Sequence, residues 1–415
     1  MNRNKIILAM VVLLIVAFGG TGCSPQEVKN DTDIVTVIPT VEPSNLPSNK
    51  PVELTTIEKK NASVLIAEQK QLKSKPKPKP KQRYVQQANK LPHIRKVPWV
   101  SSRPYRLTGD FAHNSSARKF INTMSRSYGI DGNYLNRLFS QARDLRKIYT
   151  PPKKSTRRYG KIGRWTRYRN FFLTPRHING GVNFWRQNAA TLNKAYQQYG
   201  VPPEYIVGIL GVETIYGGNI GKIRVLDSLS TKAFRSGRRQ KFFRNELKKF
   251  LLMAKSEGLN PTSLVGSSAG AIGLCQFMPS NFKPFGVDYD RSGSCNLWHP
   301  KDAIGSVANY FKKHNWRRGG PVLVRASTTG NGYKSMTTSY KKKYSLSHLA
   351  RKGIRPQGRM DNIVRFLRMS TYSGDEIWLG GHNFYVITRY NHDSRYALAV
   401  HQLAQEVKRR YRGSR

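Results

Sequence analysis

Between Ile206 and Val212 this chain of 415 residues runs Ile-Val-Gly-Ile-Leu-Gly-Val without one polar side chain, and Glu213 follows directly. On a helical period Ile206, Ile209 or Leu210, and Glu213 share one face, while Val207 and Val212 leave the opposite side apolar as well. A helix that is apolar all round belongs in the middle of a core. The fold must therefore be built around this segment, and a carboxyl group goes in with it. Burial disfavours the ionised form and raises a carboxyl pKa, which is what a general acid near neutral pH requires. A structural glutamate bonded to a neighbouring loop would leave the same signature. The segment alone keeps both readings open.

Nothing of this kind occurs in the first hundred residues. Met1 to Cys23 opens with Arg3 and Lys5, continues with the apolar run Ile6 to Phe18 and closes on Gly19-Gly20-Thr21-Gly22, the pattern of an export signal. The apolar run is short for a permanent membrane span. The cysteine after small residues resembles a bacterial lipobox, although Gly20 stands where that pattern prefers Leu. The resemblance implies that residues 1–22 are removed and that acylated Cys23 anchors the chain in lipid. Ser24, where an Asp would favour inner-membrane retention, implies the outer membrane of a Gram-negative cell, facing the periplasm; plain secretion is the alternative. Residues 23–98 are rich in Thr, Pro, Ser and Lys and include Lys73-Ser-Lys75-Pro-Lys77-Pro-Lys79-Pro-Lys81, with too little apolar surface to fold. Alternating Lys and Pro favours extended polyproline II, so this stretch reads as a basic tether.

With 72 basic against 23 acidic side chains the formal charge is +49. Such a balance ordinarily points to nucleic acid. The export signal argues against that partner, and no zinc-finger, helix-turn-helix or RNP-like pattern is present, so a polyanionic wall polymer or lipid headgroups fit the charge better. Cys275 and Cys295 remain after Cys23. An oxidising compartment would allow them to pair, and two buried thiols are equally compatible with the sequence.

Past Phe111 the periodicity turns helical: 117–129, 134–146, 182–199, 203–216, 244–257, 300–315 and 396–410. Asp131 stands before one helix, Pro202-Pro203 at the first turn of another, and Gly200 and Gly258 just past helix ends. Strand alternation is scarce, with 384–388 and 321–324 the candidates. The class is mainly α.

Downstream of Glu213, residues 266–280 run Gly-Ser-Ser-Ala-Gly-Ala-Ile-Gly-Leu-Cys-Gln-Phe-Met-Pro-Ser. Tiny residues let backbone approach a ligand, and Gln276 and Phe277 offer an amide and a stacking face to a sugar; close helix packing through Gly and Ala would explain the small residues equally. Together with Gly-Val-Glu213-Thr, with Asn296-Leu-Trp-His-Pro-Lys-Asp302-Ala-Ile-Gly-Ser-Val-Ala-Asn-Tyr310-Phe, and with Asn383-Phe-Tyr-Val-Ile-Thr-Arg-Tyr390-Asn-His followed by Tyr396-Ala-Leu-Ala-Val, this run resembles the membrane-bound lytic murein transglycosylase B family. The resemblance covers roughly residues 111–410, in order.

That resemblance implies a goose-type lysozyme-like α domain over 111–410, with its lysozyme-like core at about 165–320 and a small β element. It implies that Glu213 protonates the glycosidic oxygen between N-acetylmuramic acid and N-acetylglucosamine, then accepts the proton of the muramyl C6 hydroxyl as that oxygen attacks C1, leaving a 1,6-anhydro sugar. The next acid after Glu213 in the chain is Asp227, which suits a one-carboxylate reaction. By the same resemblance Ser267 would bond near the acid, Gln276, Phe277 and Met278 would contact the sugar, and Tyr168, Tyr310, Tyr390 and Tyr396 would line the groove. Arg238 and Arg239 would hold peptide or lactyl carboxylates; Phe242 stands where a Tyr is frequent. The loop from Asp288 to Asp302 begins like a calcium loop, with Asp288, Asp290, Ser292 and Gly293 in place, and carries Ser294 further on. Its twelfth position is His299 rather than Glu, and the family pattern puts a later Asp, here Asp302, in that role. A structural calcium ion and no organic cofactor are therefore expected. His177 and His348 read as surface residues. The expected partners are peptidoglycan glycan strands, outer-membrane lipid through Cys23, and cell-wall synthesis proteins, with no nucleic acid. Two alternatives stay open: a hydrolytic muramidase using water at the same site, and a non-catalytic wall-binding scaffold.

Overall fold

The computed structural model describes residues 98–101, 103–148 and 162–413. The export signal, Cys23 and the tether up to residue 97 lie outside the described residues. The order of elements begins with α1 (Ser115–Tyr128) and α2 (Gly132–Ser140), followed after the short helix α3 (Leu145–Ile148) by α4 (Arg164–Arg169), α5 (Pro175–Gln187) and α6 (Ala189–Tyr199). The apolar segment forms α7 (Pro203–Thr214), every residue of which from Glu204 to Val212 is buried. Beyond it come α8 (Val225–Phe234), α9 (Gln240–Ser256), α10 (Pro279–Phe285) and α11 (Pro300–Lys313). The short helix α12 (Leu346–Arg351), then α13 (His382–Tyr390) and α14 (Ser394–Gly413), complete the set. None of the described helices is long and apolar enough to cross a membrane.

Local chemistry sets the helix ends. Asp131 caps α2 by accepting from Tyr134 N at 2.6 Å, and Pro203 occupies the first turn of α7. Gly200 (φ 73) and Gly258 (φ 67) take up the left-handed conformation past α6 and α9. The helix expected over 182–199 is two helices. Asn188 leaves helical geometry (φ −119, ψ 22) and its amide donates to Phe184 O at 2.9 Å, a local bond that competes with continuing the helix.

The core is one large cluster running from Leu107 to Tyr411 with α7 at its centre. Helix α14 packs along α7 and α5. Close approach is possible because Gly208 faces Val400: a Cβ there would lie 3.0 Å from the Val400 carbonyl oxygen.

The β content is larger than the sequence pattern suggests. A two-residue pair joins β1 (Ile223–Arg224) to β2 (Val265–Gly266). An antiparallel sheet of five strands has the order β4 (Tyr344–Ser345), β6 (Ile363–Thr371), β7 (Gly374–Gly380), β3 (Leu323–Thr328), β5 (Ile354–Pro356). Strand β3 begins within the candidate 321–324 and extends beyond it, whereas the candidate 384–388 is helical and belongs to α13. Short apolar runs do not distinguish a buried strand from a buried helix, and Phe384, Val386, Ile387 and Thr388 are all buried. The hairpin β6–β7 escapes the alternation test because both faces of the sheet are covered. Leu367, Met369 and Trp378 join the main core, while Val364, Phe366, Ile377 and Leu379 form a second, smaller core under α12.

Candidate active site

Glu213 sits one residue from the end of α7, where the chain makes a sharp departure. Ile215 (φ 52), Tyr216 (φ 58) and Gly217 (φ 89) are all left-handed. A β-branched residue in that region is strained, and such strain persists only when the surroundings over-determine it. Here they do. Thr214 Oγ1 donates to Leu274 O at 2.9 Å and accepts from Gly217 N at 3.1 Å. Tyr216 donates its hydroxyl to His177 O at 2.9 Å and stacks on Phe184. The turn thus stops α7 at Thr214 and sends the chain out from beside the Glu213 carboxyl.

The carboxyl itself is half-buried, and the Tyr396 hydroxyl donates to Glu213 Oε1 at 2.5 Å. Apolar burial raises its pKa from 4.5 to about 7, against the opposing effect of the Tyr396 hydrogen bond. Burial dominates because one hydrogen bond does not replace the water lost from both oxygens. Tyr396 is fully buried, and both burial and the neighbouring Glu213 push its own pKa well upward, so it stays a donor. Among the described residues no hydrogen-bond partner reaches Oε2. That oxygen is the one able to carry a transferable proton.

Tyr168 and Tyr390 share the electrostatic surroundings of Glu213 and are half-buried. Tyr390 donates to Cys275 O at 2.5 Å. Arg395, which the sequence reading did not single out, lies over the Tyr168 ring at 5.1 Å and is held by Asp393 through contacts of 3.1 and 2.5 Å. Its signal was present in the polar stretch Asn391-His-Asp393-Ser-Arg395 between the two tyrosines. Asp393 is committed to that ion pair, and no second carboxylate bonds to Glu213 or Tyr396 among the described residues.

The remaining expected contacts divide. Residues 266–277 form turns and single bridges, Gly266 to Ile272 and Ile272 to Phe277, and no helix. Ser267 is buried and its Oγ accepts from Ala269 N (3.3 Å) and Ala271 N (3.0 Å), fixing the turn instead of bonding to the acid. Gln276 adopts φ 51 and its Nε2 donates to Ile220 O (3.2 Å) and Gly273 O (2.9 Å), which clamps the strained turn after Glu213 to this loop. Phe277 is buried against Tyr310 and Tyr390, at 5.7 and 5.8 Å between ring centroids, so its face is taken by the core and not offered to a sugar. Met278 beside it is half-buried and occupies the position just before α10. Tyr310 is buried, donates to Arg389 O at 2.6 Å and stacks on His314 at 4.1 Å, a layer behind Tyr390 rather than a wall. Arg238 is exposed, and Arg239 lies over the rings of Phe242 (4.3 Å) and Phe243 (5.4 Å) at the start of α9. His177 is buried, not at the surface; it bonds to Thr174 Oγ1 at 2.8 Å, and burial lowers its pKa to about 4. His348 is half-buried. A cleft of about 980 Å³ lined by Asp110, Arg143, Lys222, Arg224 and Asp227 contains none of the residues around Glu213.

Cys275 and Cys295 are both buried free thiols. Burial pushes Cys275 up to about 12.

In the loop after α10 the acids have distinct duties. Asp288 accepts from Ser292 N at 2.9 Å and Gly293 N at 2.8 Å, and Ser292 Oγ donates to Ser294 O at 3.3 Å, so these residues shape the turn. Asp302 is buried and accepts from Tyr289 N, Asp290 N and Asn296 N at 2.8, 3.3 and 2.7 Å. Asp290, His299 and Asp302 each place one ligating atom within 4.8 Å of the others. His299 Nδ1 is shut off from solvent, makes no hydrogen bond and stands 3.1 Å from Asp290 Oδ2. Two carboxylates and an imidazole nitrogen gathered this closely are a donor set for a divalent cation.

Comparison with known proteins matches the family description Transglycosylase SLT domain over residues 112–405. The chain is 46% identical over 307 residues to the membrane-bound lytic murein transglycosylase B of Escherichia coli (strain K12), covering 72% of this chain and 84% of that protein. The E. coli lytic transglycosylase Slt35 in complex with calcium superimposes with a TM-score of 0.68 at 46% identity, covering 73% of this chain and 96% of that one. Soluble lytic transglycosylase SltB1 from Pseudomonas aeruginosa gives 0.66 at 43% identity, over 72% and 99%. The chain, mainly helical and built around the buried helix that ends at Glu213, belongs to the transglycosylase SLT domain family.

Proposed function

We propose that this protein is a peptidoglycan lytic transglycosylase that cleaves the β-1,4 bond between N-acetylmuramic acid and N-acetylglucosamine without water. The observation that carries the reading is the lone carboxyl of Glu213, raised to about 7 and held at Oε1 by Tyr396. Protonated Oε2 gives its proton to the glycosidic oxygen as the C1–O bond breaks and positive charge develops at C1. The resulting carboxylate, steadied by the Tyr396 hydrogen bond, then takes the C6 hydroxyl proton while O6 bonds to C1. Glu213 ends protonated, ready for another cycle, and the product carries a 1,6-anhydro ring. A hydrolase of the two-carboxylate kind needs a second free acid across the sugar; Asp393, the acid beside Tyr168, is engaged by Arg395. The half-buried faces of Tyr168 and Tyr390 supply amphipathic wall, and the Arg238–Arg239 pair supplies charge for peptide or lactyl carboxylates.

The reading extends to location and metal. The E. coli relative is described as membrane-bound, which supports a lipid anchor at Cys23 and a place on the periplasmic side of the outer membrane, with the basic tether along an anionic surface. A related structure is in complex with calcium, which supports a structural divalent cation in the loop from Asp288 to Asp302; Asp288, Ser292 and Ser294 shape its turn, and Asp290 and Asp302 present carboxylates.

The test is mass spectrometry of muropeptides released from purified sacculi by the protein and by Glu213→Gln. Anhydromuropeptides from the parent and a loss of at least about 100-fold in the variant are expected. Reducing-end products would identify a hydrolase, and intact sacculi that retain the protein tightly would identify a scaffold.

A further inference from the structure

We propose that the pocket between α1 and α9 is a second recognition site for the wall polymer, one that takes the acidic peptide stem and holds its carboxylates. The inference rests on the reading of this protein as a peptidoglycan enzyme, and it adds the peptide to the sugars as something the chain selects.

The pocket encloses about 340 Å³ and contains none of the residues around Glu213. Phe120 and Met124, both buried, line it from α1. Four cations line it as well, Lys119 from α1 and Lys241, Arg244 and Lys248 from α9, and no acid is among its lining residues. Residues 241, 244 and 248 follow helical spacing, so the three α9 cations form one stripe. Helix α1 carries no acid, and the single acid of α9, Glu246, is buried where it accepts from Ser280 N at 2.8 Å at the start of α10.

Like charges gathered this closely repel, and the pocket supplies no counter-charge. Lys248 donates to the Tyr128 hydroxyl at 3.0 Å, a neutral oxygen. Arg244 Nε is shut off from solvent and has no hydrogen-bond partner. An N–H of a charged group buried without a partner costs free energy that a bound anion restores. Guanidinium pairs with carboxylate through two parallel hydrogen bonds, so an Arg fork flanked by ammonium groups is a carboxylate receptor.

Placement favours the peptide stem over other anions. Arg238 and Arg239 stand just before α9, and a helix rises about 1.5 Å per residue, so Arg244 and Lys248 lie about 8 and 14 Å along the axis from Arg239. An extended peptide covers about 3.3–3.6 Å per residue. A stem whose lactyl end meets the Arg238–Arg239 pair therefore brings its second to fourth residues beside the stripe. Its short aliphatic side chains suit Phe120 and Met124, and its free carboxylates suit the cations. A layer of lipid headgroups is flat and does not fill a recess between two helices.

The test is isothermal titration calorimetry of the full chain with the free stem tetrapeptide and with the 1,6-anhydro disaccharide lacking peptide, neither of which contains the bond to be cleaved. The tetrapeptide should bind the parent, and should bind at least about tenfold more weakly to the double variant Lys241→Gln, Arg244→Gln, the loss of a hydrogen bond between charged groups. The disaccharide should bind parent and variant alike. A tetrapeptide that fails to bind, or binds both proteins equally, overturns the proposal, and normal disaccharide binding then leaves the glycan reading standing. Loss of disaccharide binding by the parent, with the tetrapeptide still bound, counts against the glycan reading and not against the pocket. Vesicles of phosphatidylglycerol that bind the parent but not the variant, with no tetrapeptide bound, would assign the pocket to lipid and overturn the proposal. Thermal unfolding identifies a double variant that fails to fold, and Lys241→Gln alone, a change at an exposed side chain, then serves in its stead.

Discussion

The hydroxyl of Tyr396 donates to Oε1 of Glu213 at 2.5 Å, joining α14 to the end of α7 across 183 residues of sequence. The bond orients the acid: one oxygen is tied, and the other accepts no hydrogen bond among the described residues. It also sets an opposition, because burial favours the protonated carboxyl and the hydrogen bond favours the carboxylate. A group that must give and then take one proton needs both forms within reach.

Removing that hydroxyl in Tyr396→Phe should raise the Glu213 pKa further, since the contact that favours the charged form is lost while burial remains. The alkaline limb of the kcat/KM profile should move to higher pH. A hydrogen bond to a charged group contributes about 1.5–3 kcal/mol, so kcat should fall roughly tenfold or more because the carboxylate formed on proton transfer is less stabilised. A pH profile of turbidity loss from sacculi measures both effects.

Stability should respond to Glu213 in the opposite direction from activity. Its folded pKa of about 7 lies above the ordinary 4.5, so its contribution is fully present below about 4.5 and is lost as pH rises through about 7. Glu213→Gln should therefore be more stable than the parent at pH 8, by about 1–3 kcal/mol, with the difference shrinking toward pH 4.5. Urea unfolding at a series of pH values would show a gap that is constant with pH if the carboxyl titrates ordinarily.

The turn after Glu213 depends on Gly211. A Cβ there would lie 2.5 Å from Tyr216 Oη and 2.9 Å from Leu403 Cδ2. Gly211→Ala should cost about 1–3 kcal/mol by overpacking and should lower activity beyond the loss of folded protein, because Tyr216 anchors the turn. Denaturant unfolding together with kcat on the folded fraction separates the two.

Cys275 and Cys295 should both titrate as free thiols after unfolding and react slowly with a disulfide reagent in the native state. Burial keeps Cys275 protonated, up to about 12, and the thiolate is the reactive form. Fast reaction of either thiol in the folded protein, or a mass lower by two hydrogens, would contradict the buried arrangement.

The residues that run apolar on every side of α7 determined by themselves that this helix is buried and that Glu213 enters the core with it, because no other placement hides Ile206 to Val212 from water. The capped ends at Asp131, Pro203 and Gly200 were legible for the same local reason. Motif order was enough to indicate the chemistry. The β6–β7 hairpin was not legible, since a sheet covered on both faces loses the alternation that marks a strand, and α13 was mistaken for a strand because a short buried run looks alike in either form. Which side chains meet the acid was decided only by tertiary structure. Ser267 and Phe277 stand in the motif yet spend their polar atom or ring on the fold, whereas Tyr396 reaches Glu213 from another helix and Arg395 covers Tyr168 from the same turn. Such contacts depend on how α14 crosses α7, a matter of packing that no local pattern encodes.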